Sequence, residues 1–192
     1  MTKPRILVFA GSLRTGSFNE RLAGWIAREL AAREADVTHI SLRDYPMPLY
    51  DADMEAREGQ PESARRLGRL LLEHQGCFIV TPEYNAGTTP LLKNTIDWTS
   101  RVKPAELGGA PFKGRVFALG AASDGPRAGY RALIHLRHVM ELGLGALVQP
   151  EMISVGGAGS AFDDAGNLKD ERTAGFARGA VDALVAHAGR FA

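Results

Sequence analysis

Hydroxyl and amide side chains crowd one turn near the start of the chain, Gly11-Ser12-Leu13-Arg14-Thr15-Gly16-Ser17-Phe18-Asn19. Ser12, Thr15, Ser17 and Asn19 offer neutral donors, Arg14 a cation, and the two glycines a backbone free to bend towards a guest. The uncharged run Ile6-Leu7-Val8-Phe9-Ala10 precedes this turn, and Leu22, Trp25, Ile26 and Leu30 follow it at helical spacing. A strand that passes through a polar loop into a helix start presents unpaired N–H groups at the positive end of a helix dipole. A phosphate is the natural guest there. The same residues also suit an ordinary βα turn in which Ser17 or Asn19 only caps the helix.

The spacing narrows the choice of phosphate. A mononucleotide P-loop needs a lysine after its second glycine, and Gly16 is followed by Ser17-Phe18. The dinucleotide fingerprint needs G-x-G-x-x-G, which Gly11 and Gly16 do not supply, and Asp36 precedes the second strand instead of ending it. What remains is a ring of hydroxyls and amides around one terminal phosphate, the kind of site that flavin mononucleotide (FMN) needs. A second stretch, Thr81-Pro82-Glu83-Tyr84-Asn85-Ala86-Gly87-Thr88-Thr89-Pro90, suits the other end of such a ligand. Its backbone amides can meet the polar edge of a planar heterocycle, with Tyr84 or Pro82 as a wall. Further on, Lys93 and Asp97 have the spacing of a surface ion pair and Trp98 that of a core residue.

These loops must be held by a scaffold, and the pattern alternates strand and helix five times. Strands are expected over about residues 4–10, 36–42, 76–81, 115–121 and 146–155, and helices over about 17–34, 61–75, 90–101, 129–142 and 169–188. Asp44 to Pro61 reads as a proline-rich loop. Alternation with crossover-length connections indicates an α/β fold, a doubly wound parallel sheet of order 2-1-3-4-5 with helices on both faces. Ligands sit at the carboxyl ends of its strands one, three and four. At 192 residues, with 45% hydrophobic and 23% charged content, a single domain over 1–192 is expected. A net charge of +1 excludes a general attraction to nucleic acid or anionic membrane. One cysteine, Cys77, no signal-peptide pattern and no bilayer-length apolar run point to the cytoplasm.

Other chemistry is poorly supported. His135 and His138 lie three apart without a carboxylate or thiol at zinc-like spacing. Cys77 sits inside an apolar strand, as an inert core thiol does. No G-x-S-x-G elbow is present.

Taken together, Gly11 to Asn19, Thr81-Pro82-Glu83-Tyr84-Asn85, Leu92-Lys93-Asn94-Thr95-Ile96-Asp97-Trp98 and the Pro48–Asp53 loop resemble the NADPH-dependent FMN reductase family of flavodoxin-like proteins, closest to its quinone and chromate reductase branch. The resemblance runs from the first strand to about residue 155. It implies that Gly11, Ser12, Arg14, Ser17, Phe18 and Asn19 surround the FMN phosphate, and that Pro82, Glu83, Tyr84 and Asn85 line the flavin largely through backbone groups. It also implies that the loop containing Ser123 and Gly125 approaches the pyrimidine end of the ring, with its amides serving charge near N1 and O2. No catalytic side chain is then required, because FMN takes hydride from NADPH or NADH and passes it to a quinone or another small acceptor such as chromate, an azo compound or a nitro compound. Arg14, Arg101 and Arg127 are candidates for the nicotinamide cofactor's phosphates. The chain departs from the family pattern at Gly87, at Thr89-Pro90 and at Ala128. A homodimer or homotetramer is implied, with Leu91, Ile96 and Val139 as exposed apolar positions and the Tyr45–Asp53 loop covering a neighbouring flavin. Two other readings keep the fold: a flavodoxin-type electron carrier, disfavoured by the near-neutral charge, and a non-enzymatic binding module.

Overall fold

The computed structural model describes residues 3–192. Strands β1 (Arg5–Ala10), β2 (Asp36–Ser41), β3 (Gly76–Val80), β4 (Val116–Ala122) and β5 (Leu147–Val155) form an all-parallel sheet in the order β2-β1-β3-β4-β5. Helices α1 (Phe18–Ala31), α2 (Ala52–Glu58), α3 (Glu62–Leu72), α4 (Pro90–Arg101), α5 (Pro104–Leu107), α6 (Tyr130–His138) and α7 (Glu171–Ala188) make the connections. This is the flavodoxin-like topology expected from the sequence.

The central strands are apolar throughout because both of their faces are covered. Ile6, Val8 and Ala10 of β1 and Phe78 and Val80 of β3 pack with Leu22, Ile26 and Leu184 from α1 and α7. The alternate residues Leu7, Phe9, Cys77 and Ile79 pack with Leu67, Leu92 and Leu136 from α3, α4 and α6. Each fully buried side chain of this size contributes about 1.5–3 kcal/mol. Register brings the functional ends together: Ala10 pairs with Val80, and Val80 with Gly120, so β1, β3 and β4 finish close to one level. The crevice that receives the loops lies beyond that level. Pro150 is tolerated in β5 because this strand forms an edge of the sheet.

Several local expectations change. The proline-rich stretch contains helix α2, which starts where Asp51 Oδ1 accepts from Met54 N at 2.8 Å. Flanking prolines hid this short run of good helix formers. Pro48 O accepts from both Asn94 Nδ2 and Trp98 Nε1, each at 2.8 Å, and so pins the stretch to α4. Trp98 is fully buried, as a core residue, and Lys93 bonds Asp97 at 2.8 Å. The regular part of α6 ends at His138 and continues as a π-helical turn over Val139–Gly143. Ile96 is only 3% exposed, and Leu91 and Val139 pack against the same core. These three positions are therefore not the exposed apolar surface expected of them.

His74 ties α3 to β2. It is buried, with Nδ1 at 2.6 Å from Leu70 O and Nε2 at 2.8 Å from Thr38 Oγ1. The neutral ring satisfies both contacts by donating from Nδ1 and accepting at Nε2. Burial pushes its pKa down. The unfolded chain therefore binds this proton first, and stability is expected to fall as pH drops below about 6.5. Thermal melts between pH 8 and pH 5.5 should show the decline, and His74→Gln should reduce it while lowering stability at pH 8. The remainder comes from His39, whose pKa partial burial also pushes down.

Candidate functional site

The loop after β1 turns sharply beneath α4. Gly11 N donates to Val80 O at 2.7 Å, and its carbonyl accepts from Thr89 Oγ1 at 2.8 Å. A Cβ at Gly11 would lie 2.8 Å from Leu92 Cβ, so a glycine is what allows this close approach. Ser17 then caps α1, its hydroxyl accepting from Asn19 N at 3.2 Å. The backbone N–H groups of Ser12, Leu13, Thr15, Gly16 and Phe18 have no acceptor among the described residues. Arg14 stands beside them, its guanidinium 5.2 Å from the centre of the Phe18 ring. A helix start, five free donors and a cation make this end of the site fit a phosphate.

The cavity beyond has a volume of about 190 Å³. One wall is Ser12, Arg14, Ser17, Phe18 and Asn19, a second is Pro82, Glu83 and Tyr84, and a third is Ala122, Ser123 and Asp124. Nine of the positions singled out from the sequence thus meet in one place: Ser12, Arg14, Ser17, Phe18, Asn19, Pro82, Glu83, Tyr84 and Ser123. Gly11 lies behind the wall, Asn85 at an exposed loop tip and Gly125 on the exposed turn after β4. Asp124 joins the cavity from between Ser123 and Gly125, in the loop expected to approach the pyrimidine end, whereas Ala122 was not anticipated as a site residue. No side-chain chemistry marks Ala122, and only its place at the end of β4 brings it to the crevice.

The Asn19 side chain, expected to face the ligand, is occupied elsewhere, and Glu83, expected to contribute largely backbone, has its side chain engaged outside the cavity. Asn19 Nδ2 donates to Ala122 O and its Oδ1 accepts from Ala122 N, both at 2.9 Å, which locks α1 to the end of β4. Glu83 turns away to Arg131, which holds its carboxyl below the usual carboxylate range. What these two positions present to the cavity is therefore mainly backbone. Of the amides expected to serve the pyrimidine end, Ser123 N donates to Val155 O at 2.9 Å and Gly125 N to Ser123 Oγ at 3.1 Å. The Asp124 N–H is left free, and its carboxylate accepts from Gly159 N at 2.6 Å.

The loop after β3 is closed on itself. Tyr84 and Gly87 exchange two backbone bonds of 2.9 Å, with Asn85 at φ 49° and Ala86 at φ 66° between them. The N–H groups of Glu83, Asn85 and Ala86 find no acceptor among the described residues, and Tyr84 stands 54% exposed at the cavity mouth. A phosphate cradle at one end and a flat wall with free donors at the other fit FMN. The departures are accommodated: Thr89 caps α4, and a Cβ at Gly87 would meet the His135 ring at 3.3 Å and the Tyr84 carbonyl oxygen at 3.6 Å. Ala128 adopts φ 50°, a conformation that costs a non-glycine residue roughly 1–2 kcal/mol. Of the other candidate cations, Arg101 is engaged with Glu55, and neither Arg101 nor Arg127 lines the cavity. Burial pushes the Cys77 thiol up, which keeps it protonated and unreactive.

Comparison with known proteins agrees with this geometry. The family model described as NADPH-dependent FMN reductase matches residues 4–160. A quinone reductase of Escherichia coli K12 is 36% identical over 159 residues, covering 81% of this chain and 78% of the relative. An NAD(P)H-dependent FMN reductase of Pseudomonas aeruginosa is 34% identical over 173 residues, covering 88% and 86%. Among solved structures, the flavoenzyme NAD(P)H:(acceptor) oxidoreductase FerB from Paracoccus denitrificans superposes with a TM-score of 0.79 at 29% identity, covering 97% of this chain and 98% of that one. With its sheet order and a match over most of its length, the chain belongs to the NADPH-dependent FMN reductase family.

Proposed function

We propose that residues 1–192 act as one FMN-binding domain that uses NAD(P)H to reduce quinones or related small acceptors in the cytoplasm. The observation that carries this reading is the cavity at the ends of β1, β3 and β4, whose free N–H groups suit a phosphate at one end and a heterocycle edge at the other. FMN, when bound, supplies the two-electron chemistry, accepting hydride from NAD(P)H and releasing electrons to the acceptor. The chain's own part is to bind and orient. Ser12, Ser17 and the free amides from Leu13 to Phe18 hold the phosphate, and Arg14 balances its charge. Pro82 and Tyr84 fix the plane of the ring and shield one side of it from water. The Asp124 N–H is the donor best placed for charge that develops at the pyrimidine end.

Tyr84 is 54% exposed at the cavity mouth, which supports a reading in which NAD(P)H and the acceptor use that mouth in turn. Steady-state rates should therefore give parallel lines when NADPH is varied at several fixed quinone concentrations. Intersecting lines would show that both substrates must be bound together and would overturn this order. Tyr130, Ile134 and Leu142 are 50%, 45% and 76% exposed on α6 and its π turn, which supports self-association of the chain through that helix. Sedimentation velocity tests it. Among the described residues, no helix is long and apolar enough to cross a membrane.

A further inference from the structure

Helix α6 begins without a cap of its own. Its N-cap position is Gly129, at φ 80°, and its first turn carries no acidic residue. The missing partner comes from the loop after β3: Glu83 Oε2 accepts from Arg131 N at 3.1 Å, which places a carboxylate at the positive end of the helix. Arg131 answers with its side chain. Its Nε donates to Glu83 Oε1 at 2.7 Å, and Nη2 donates to the same oxygen. The Glu83 side chain is 9% exposed and the Arg131 side chain 49%, so the pair is shielded on the loop side and open on the helix side.

One helical turn further along α6, His135 Nδ1 accepts from Thr88 N at 3.1 Å. Residues four apart share a helix face, so one face of α6 holds the loop at both of its ends. Between these two points lies the Tyr84–Gly87 turn with its two left-handed residues and free N–H groups. Beyond them, Thr81 Oγ1 bonds Thr88 Oγ1 at 2.7 Å and Thr89 bonds Gly11. These bonds fix the base of the loop to the sheet but do not reach its tip.

We propose that Arg131 and His135 are positioning residues that clasp the Glu83–Thr88 loop at both ends and thereby set how tightly the loop closes on the flavin. The proposal rests on the FMN reading given above. Neither side chain lines the cavity, and each acts through a loop residue: Arg131 through Glu83, and His135 through the Thr88 amide. Without the clasp the loop can still form its internal turn, but it must be ordered by the ligand. That ordering cost appears as weaker binding.

The test is titration of the apoprotein with FMN, followed by loss of FMN fluorescence. The parent, Arg131→Gln, His135→Leu, His135→Asn and the double variant Arg131→Gln/His135→Leu are compared, with a thermal melt of each apoprotein. Arg131→Gln and His135→Leu should each raise the FMN Kd about fivefold, and the double variant at least about twentyfold, the loss of one good hydrogen bond per site. His135→Asn should stay within about twofold of the parent, because its Oδ1 can take the place of Nδ1 as acceptor for Thr88 N. A double variant that binds FMN as tightly as the parent overturns the proposal. So does a lower melting temperature with an unchanged Kd, which would assign both residues to stability alone. If Arg131→Gln does not fold, the contrast between His135→Leu and His135→Asn decides. A parent that binds no FMN removes the flavin reading and this proposal with it, an outcome distinct from a parent and variants that bind equally.

Discussion

Asn19→Ala is expected to lower stability by about 3 kcal/mol and to weaken FMN binding at least tenfold. The side chain is only 4% exposed, and both of its polar atoms are committed at 2.9 Å to the same residue, Ala122. Ala122 is the last residue of β4 and is itself buried. Truncation leaves a buried N–H and a buried C=O without partners, at a cost of roughly 1–3 kcal/mol each. Relaxation and entering water keep the sum in the lower half of the resulting range of roughly 2–6 kcal/mol. The binding loss follows from geometry, because Asn19 joins the Ser17 cap to the wall formed by Ala122 and Ser123, and the cavity depends on their spacing. A shift of about 6–12 °C in melting temperature corresponds to this loss for a chain of this size. A shift below about 2 °C would show that water replaces the amide without penalty.

Gly129→Ala should be at least as damaging. Gly129 has φ 80°, where a side chain costs roughly 1–2 kcal/mol, and an added Cβ would lie 2.6 Å from Ala121 Cβ. Such a contact forces the backbone at the start of α6 away from β4, and overpacking of this kind typically adds about 1–3 kcal/mol. The expected total is about 3–4 kcal/mol. The displaced segment also carries Arg131, so FMN binding should weaken with stability. Gly16→Ala provides the comparison: its φ is 69°, but nothing lies within 4 Å of the added atom. It should cost only the conformational part, about 1 kcal/mol. Chemical denaturation of the two variants side by side checks the contrast, and equal losses would refute the steric explanation.

Much of the scaffold could be read in the sequence because its signals are local. Apolar runs such as Ile6 to Ala10 mark strands covered on both faces, and the Lys93–Asp97 spacing marks a helix surface. One wall of the cavity could be read for the same reason, since Ser12, Arg14, Ser17 and Phe18 are neighbours in the chain as well as in the cavity. What could not be read depends on contacts between distant residues. The Asn19 amide is consumed by a residue 103 positions away, and the Glu83 carboxylate by one 48 positions away. No spacing rule links such pairs. Helix α2 was missed for a different reason: it is seven residues long, and the prolines around it outweighed the Asp51 cap.

The cleft at the ends of β1, β3 and β4 is expected to carry a flavin that NADPH can reduce. A visible absorption spectrum of the purified protein, loaded with FMN where needed and recorded before and after anaerobic NADPH, tests it most directly. A bound-flavin spectrum that bleaches on addition of NADPH, and returns when a quinone is added, is the predicted result. A flavin band that NADPH leaves unchanged would point to an electron carrier, and a colourless protein that takes up no FMN would contradict the account at its root.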